Sequence, residues 1–156
     1  MDRCLVMIDG SNDRKLIGAG CVRKILCSFP RQADSWHFDA LYRTGEIELE
    51  LVPQGILVER CRAGGAGLAA FYSPTSVGTD LVKGRELREF DGKQYVLEKA
   101  IHLDYALLRG YRADRLGNVQ FRGGSQNFNP AKISWTPPTY LSCDNCLNPV
   151  STPDQD

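Results

Sequence analysis

The sequence predicts an α/β fold, in which an open and mostly parallel β-sheet is flanked by helices and carries a β-hairpin as an addition. Short apolar runs that end in polar turn clusters, the first of them over residues 5–8, indicate buried strands. Stretches with helical spacing lie between these runs, and this mixture is typical of the α/β class. Asp91-Gly92 joins two strand-like halves of residues 86–98, and this dipeptide is a strong signal for a tight hairpin.

The N-terminal part of the chain is predicted to alternate between strands and helices. After the strand at 5–8 we predict a short helix and turn over 16–22, a strand over 23–29, and a helix over 34–44 that ends near Gly45. Glycine is the usual residue just beyond a helix C-terminus, because it adopts a positive φ without strain.

Residues 46–52 alternate strictly between acidic and apolar side chains, which predicts a strand with two different faces. The apolar side chains share one predicted face, and they are Ile47, Leu49 and Leu51. The acidic side chains share the other, and they are Glu46, Glu48 and Glu50. Three carboxylates on one face resemble a catalytic acid cluster, but a solvated surface is the commoner explanation. We therefore predict that the three glutamates are solvated.

The rest of the chain is predicted to hold a helix and several strands before its character changes. A helix follows Pro53-Gln54-Gly55 and ends in a glycine-rich stretch at 62–67; a loop follows over 71–79. Beyond the hairpin we predict a buried strand over 104–110 and a turn followed by a strand over 116–121. Residues 131–156 are rich in proline, serine and threonine with little periodicity. We therefore predict one domain over 1–130 and an irregular C-terminal tail over 131–156.

Composition excludes several classes of function. The 19 basic and 19 acidic residues cancel, so no basic surplus favours nucleic acid. No apolar run approaches the roughly 18–20 residues that span a bilayer, and no secretory signal is visible at the N-terminus. We predict a protein that binds neither nucleic acid nor membrane and is cytoplasmic, or in the mitochondrial matrix if the source is eukaryotic.

The six cysteines do not indicate a metal site. Four of them lie among apolar residues, where a reduced thiol behaves as a small hydrophobe, and they are Cys4, Cys21, Cys27 and Cys61. Cys143 and Cys146 form a lone C-x-x-C without a second pair of ligands, and neither His37 nor His102 has a partner at ligand spacing. We predict that no metal is bound.

Six segments carry the strongest signal, and they follow one another in order between residues 44 and 130. They are GEIELELVPQG at 45–55, RAGGAG at 62–67, FYSPTSVGT at 71–79, REFDG at 88–92, ADRLGN at 113–118 and NFNP at 127–130. Together they resemble the family I CoA-transferases, specifically the A subunit of the 3-oxoacid enzymes. Residues 5–43 are similar to that family more loosely, and 17–24 give the best match there.

The departures from the family pattern concern both ends of the chain and the catalytic group. The early Gly-Gly-Phe-type loop of the family has no counterpart here, and residues 133–138 replace the helix and strand that usually follow. The resemblance therefore implies a chain truncated at both ends. The family's catalytic glutamate belongs to the B subunit, in a Ser-Glu-Asn-Gly motif, and that motif is absent from this chain.

The resemblance implies an enzyme subunit of the EC 2.8.3 type that works in a hetero-oligomer. The expected reaction moves CoA from an acyl-CoA such as succinyl-CoA to a 3-oxoacid such as acetoacetate, as in ketone body metabolism. It passes through a glutamyl-CoA thioester on the partner B subunit, so this chain contains no catalytic residue and is expected to be inactive alone. Coenzyme A is a co-substrate, and no cofactor is bound permanently. Two alternatives stay open, namely a different acid such as a short-chain fatty acid or glutaconate, and a truncated, inactive assembly partner.

Gln54 is the leading candidate for a substrate-binding residue. It lies between Pro53 and Gly55, at a predicted strand end just before a helix, and strand ends of α/β sheets are where ligands bind. Its amide is able both to donate and to accept hydrogen bonds. The resemblance places it near the catalytic glutamate of the partner subunit. The alternative is a turn glutamine that hydrogen-bonds its own backbone.

Four further residues are predicted to bind substrate. Gly64, Gly65 and Gly67 permit a backbone nest for an anion, or alternatively tight packing after a helix C-terminus. Asn12, between Ser11 and Asp13, follows the first strand, where the family has a polar loop near the substrate; a plain turn is the alternative. Two other asparagines, Asn127 and Asn129, are expected only to brace loops.

Overall fold

The computed structural model describes residues 4–7, 14–30, 36–114, 116–127, 129 and 139–146. Its backbone contacts divide the chain into two compact units. The first unit is Met1–Arg60 with Ala70–Lys99, and the second is Cys61–Ala69 with Ala100–Asp156. The α/β class predicted from the sequence is confirmed, with three separate three-stranded sheets among the described residues.

A parallel sheet opens the first unit, as predicted. Its strands are β1 (Cys4–Met7), β2 (Lys24–Cys27) and β3 (Glu48–Leu51), in the spatial order β1-β2-β3. Two helices alternate with them along the chain, namely α1 (Arg14–Gly18) and α2 (Trp36–Arg43). Met7, Cys27 and Leu51 are register partners, so the carboxyl ends of all three strands lie at one edge of the sheet.

The core of this sheet is built from the apolar positions that sequence periodicity selects. The buried residues that pack together are Ile17, Val22, Ile25, Cys27, Phe38 and Ile47. Gly45 ends α2 with a φ of 74°, donating its N–H to the Tyr42 carbonyl while Glu46 donates to that of Leu41. This pair of bonds satisfies carbonyls that the helix end leaves open.

An antiparallel sheet completes the first unit and contains the predicted hairpin. Its strands are β4 (Ala70–Ser73), β5 (Leu87–Phe90) and β6 (Lys93–Lys99), in the order β4-β6-β5. Asp91 and Gly92 both have positive φ, 49° and 73°, which is the type I′ turn that matches the strand twist. The loop predicted over 71–79 is wrong at its start, because Ala70–Ser73 pairs with residues 96–99 of β6, a partner that local sequence does not reveal.

The second unit contains a mixed sheet. Its strands are β7 (Ala106–Ala113), β8 (Val119–Gln120) and β9 (Thr139–Cys146), in the order β8-β7-β9. Strand β9 runs parallel to β7, with Ala106 opposite Thr139 and Ala113 opposite Cys146. At 139–146 the structure therefore differs from the irregular tail predicted over 131–156, because β7 supplies the hydrogen-bond partners of this segment.

The longest helix in the described part of the chain is α3 (Gln54–Gly65), with 12 residues. No helix among these residues is both long and apolar enough to cross a membrane. Ile56 and Leu57 in the first turns of α3 are 6% and 0% exposed, so the helix is anchored by apolar burial within the first unit.

Candidate functional site

Gln54 lies at the corner between the parallel sheet and α3. Val52 extends the ladder beyond β3, because its N–H donates to the Cys27 carbonyl at 3.0 Å. The Ser28 hydroxyl donates to the Val52 carbonyl at 2.6 Å. The Leu57 N–H then donates to the Pro53 carbonyl at 2.9 Å, which makes Gln54 the first helical residue. The predicted placement of Gln54 at the strand end is confirmed, but the helix begins at Gln54 itself rather than after it.

The start of α3 is electrostatically positive. The first N–H groups of a helix have no partner within it, and the aligned peptide dipoles place positive partial charge there. No acidic side chain occupies the first turn of α3 to neutralise that charge. Gln54, which is half-buried, thus lies where an anionic group is favoured, at the carboxyl edge of a parallel sheet. Its substrate-binding role stays a prediction.

The three glycines predicted to bind substrate belong to the second unit and shape the end of α3. Gly64 and Gly65 form its last helical residues, and Gly67 follows with a φ of 75°. The Gly67 N–H donates to the Gly64 carbonyl at 3.3 Å, and the Leu68 N–H donates to that of Ala63 at 2.9 Å. These bonds form a Schellman cap, so the amides of Gly67 and Leu68 already have partners.

Gly64 has a second reason to be glycine. A Cβ built at this position would overlap the backbone carbonyl oxygen of Ile101. The geometry therefore favours the packing explanation of the RAGGAG segment over an anion nest, and a contact of these glycines with substrate stays a prediction. Asn12, the remaining predicted substrate-binding residue, lies outside the described residues.

The ADRLGN segment is a braced turn. The Asp114 carboxylate accepts the backbone N–H groups of Leu116 and Asn118, each at 2.9 Å. The Asn118 side-chain amide donates to the other carboxylate oxygen of Asp114 at 2.7 Å. Asn118 hydrogen bonds are the largest influence on the carboxyl of Asp114 and hold its pKa below the ordinary value. Within the described residues this motif thus has a structural explanation. Of the two asparagines expected to brace loops, Asn129 is buried and Asn127 is exposed.

A cluster of charged side chains lies beside the Gln54 corner, and the sequence did not predict it. Its members, called the charged cluster below, are Lys24, Glu50, Arg60, Arg85 and Glu98. The Glu98 side chain is 3% exposed, and both of its oxygens lie 2.9 Å from Arg85 Nη1. Arg60 Nη1 donates to Glu50 at 2.8 Å, and Lys24 Nζ lies 3.1 Å from the other Glu50 oxygen.

The solvated face predicted for the three glutamates is therefore wrong at Glu50. Glu46 and Glu48 are exposed, but the Glu50 side chain is only 24% exposed and meets Arg60 and Lys24. Its partners come from α3 and β2, which the alternation within one strand does not indicate. The apolar face also fails at its end, since Leu51, the last residue of the edge strand β3, is 42% exposed.

The cluster lowers the pKa of Glu50. Burial is the largest single influence and raises this pKa, but the hydrogen bonds from Arg60 and Lys24 and their charges together outweigh it. The net pKa lies below the ordinary value of 4.5. A carboxyl whose pKa is lower in the folded state stabilises the fold above its unfolded-state pKa, and this stabilisation is lost as pH falls through the folded-state value.

We therefore expect Glu50→Gln to lower the free energy of unfolding at pH 7 by about 1–2 kcal/mol, because a half-buried charge-assisted hydrogen bond is lost. The difference between wild type and variant should shrink as the pH falls below 4.5 and through the lower folded-state pKa of Glu50. Urea unfolding at several pH values measures this. Glu89→Gln, at an exposed position of β5, is the control, and a difference that stays equally large as the pH is lowered would contradict the assignment.

Comparison with known proteins gives the same family as the motifs. Residues 7–142 match the profile of the family described as Coenzyme A transferase. The chain is 56% identical over 115 residues to the A subunit of 3-oxoadipate CoA-transferase from Pseudomonas putida, covering 74% of this chain and 50% of that protein. It is 48% identical over 124 residues to the A subunit of Succinyl-CoA:3-ketoacid coenzyme A transferase from Xanthomonas campestris pv. campestris (strain B100), covering 80% and 50%. The chain thus spans about half the length of the curated relatives it matches.

Solved structures share the fold. The decarboxylase AibA/AibB, crystallised as a cysteine-to-serine variant, superposes with a TM-score of 0.77 at 17% identity, covering 96% of this chain and 60% of that one. At this identity the likeness shows the fold alone. Since the fold also occurs in a protein named as a decarboxylase, the assignment of chemistry depends on the sequence relatives and on the site.

Proposed function

The chain belongs to the coenzyme A transferase family, and from this premise we propose that it is the A subunit of an enzyme that moves CoA from an acyl-CoA to a 3-oxoacid. The placement of Gln54 carries the proposal. This side chain lies at the carboxyl edge of the parallel sheet and at the positive end of α3, where a carboxylate or a thioester oxygen is stabilised. Among bacterial relatives the expected location is the cytoplasm; other relatives are named as mitochondrial.

In the proposed reaction a glutamate of the B subunit attacks the acyl-CoA thioester. The first attack gives a mixed anhydride and CoA thiolate, and the thiolate then forms a glutamyl-CoA thioester while the acyl carboxylate departs. The 3-oxoacid carboxylate reverses these steps and leaves as the new acyl-CoA, which gives ping-pong kinetics. The Gln54 amide donates to the oxygen on which negative charge develops, so it stabilises the transition state more than the bound substrate. Coenzyme A takes part as a co-substrate.

We propose 3-oxoadipate as the acceptor, with acetoacetate as the runner-up. The support is the higher identity to the relative named for 3-oxoadipate, 56% against 48% for the relative named for 3-ketoacids. The two acids differ by a second carboxylate, which a complementary site distinguishes strongly because an unpaired buried cation is costly.

The test is an assay of the complete two-subunit complex with succinyl-CoA as donor and each acid as acceptor. We expect kcat/KM for 3-oxoadipate to exceed that for acetoacetate by at least about 100-fold. A higher kcat/KM for acetoacetate would show that the proposed acceptor is wrong, while the proposed CoA transfer would stand. Transfer to neither acid, in a complex that binds CoA, would refute the proposed function.

A further inference from the structure

The charged cluster spans the corner that carries Gln54. Glu50 lies on β3 before the corner and Arg60 lies on α3 after it, and their bond joins residues ten positions apart. Gln54 lies inside the segment that this bond closes. The Glu50–Arg60 bond therefore constrains the angle between β3 and α3. Gln54, the first residue of α3, lies between the two bonded residues in the chain.

Arg60 is the centre of the cluster. Its side chain is 11% exposed, and its Nε donates to the Lys99 carbonyl at 2.8 Å while its Nη1 donates to Glu50. The same Nε lies 4.0 Å from Glu98, which Arg85 also binds. A guanidinium holds its donors in a rigid fork. Partners on both β3 and β6 thus fix how α3 is rotated about its own axis.

Stability alone is a poor explanation for this arrangement. Desolvation offsets most of the attraction between buried charges, and apolar side chains of similar size often stabilise a protein as well or better. Apolar contacts already anchor this end of α3 through Ile56 and Leu57. Such contacts are not directional, whereas charge-assisted hydrogen bonds are. What the cluster adds is a defined orientation of the helix.

We propose that Arg60, held between Glu50, Glu98 and the Lys99 carbonyl, is a positioning residue that orients the start of α3 so that Gln54 meets the substrate. This inference rests on the proposed function, because the substrate contact of Gln54 is part of it. Arg60 itself touches no reacting atom in this scheme. Its effect on the reaction passes through Gln54.

The first experiment measures amide hydrogen exchange at the start of α3 and does not depend on catalytic activity. Arg60→Lys keeps the charge but loses the fork, and we expect exchange of the Leu57 amide, which donates to the Pro53 carbonyl, to accelerate at least about fivefold relative to Val96 of β6. Val96 is 0% exposed and reports global opening. Asp80→Asn, which breaks the exposed Asp80–Lys83 pair, is the control and should leave both rates unchanged. Equal relative exchange in Arg60→Lys and wild type overturns the inference.

The second experiment is a kinetic cycle in the complex with the B subunit. Arg60→Lys should lower kcat about tenfold, with KM for the acyl-CoA unchanged within about twofold, because misorientation acts on the reacting geometry. In a Gln54→Ala background, Arg60→Lys should lower kcat by less than about twofold. If Arg60→Lys lowers kcat by the same factor with and without Gln54, the two residues act independently and the inference is overturned. A wild-type complex that transfers no CoA refutes the proposed function instead, and the exchange experiment still decides whether Arg60 orders the corner.

Discussion

Gln54→Ala should lower kcat for the proposed CoA transfer by about 100-fold in the proposed complex with a B subunit, because removal of one donor from a charge-stabilising site typically costs this much. The loss should appear mainly in kcat, since the proposed hydrogen bond strengthens as charge develops on the reacting oxygen. The fold should be unaffected, because the helix start is fixed by the Leu57 N–H bond to Pro53 and by the buried Ile56 and Leu57.

The matched control is Gln94→Ala. Gln94 is an exposed glutamine in β6 next to the hairpin turn, so its removal should leave kcat and KM unchanged. Stopped-flow or steady-state assays with succinyl-CoA, read at the absorbance of the new acyl-CoA, give both constants. Wild-type kinetics for Gln54→Ala would remove this residue from the site and favour the alternative of a turn glutamine.

Gly64→Ala should destabilise the chain by about 2–4 kcal/mol, which is the largest stability effect we expect from a single methyl group. The added Cβ would overlap the carbonyl oxygen of Ile101, and a backbone atom cannot yield as a flexible side chain does. Urea unfolding followed by circular dichroism measures the loss. Activity should fall only in proportion to the unfolded fraction if Gly64 acts through packing.

The same substitution at the other end of the helix is the control for Gly64→Ala. Gly55 has no atom within 4 Å of a built Cβ, and alanine is the better helix former. Gly55→Ala should therefore raise the free energy of unfolding by about 0.5–1 kcal/mol. A Gly64→Ala variant as stable as wild type would contradict the close approach of α3 to Ile101.

Local chemistry made much of the fold predictable. The Asp91-Gly92 turn, the glycine ends of the helices and the short apolar strands each depend on neighbours in sequence, and all of them are confirmed. Strand pairing at long range was not predictable. Local sequence predicts a loop at β4 and an irregular segment at β9, because the partners that satisfy their backbone groups lie far away in the chain.

The candidate site likewise combines features that local sequence predicts and features that depend on tertiary packing. The sequence by itself determined the family and the placement of Gln54. The placement is local, because a period-2 run followed by Pro-Gln-Gly indicates a strand end and a helix start from neighbouring residues alone. Only the tertiary structure decided the environment of that residue. Glu50, Arg60 and Glu98 come from three different elements and meet only in the folded chain. Gly64 packs closely against the Ile101 carbonyl oxygen. Side-chain ion pairs and backbone contacts between distant segments depend on how those segments pack, and no local pattern records them.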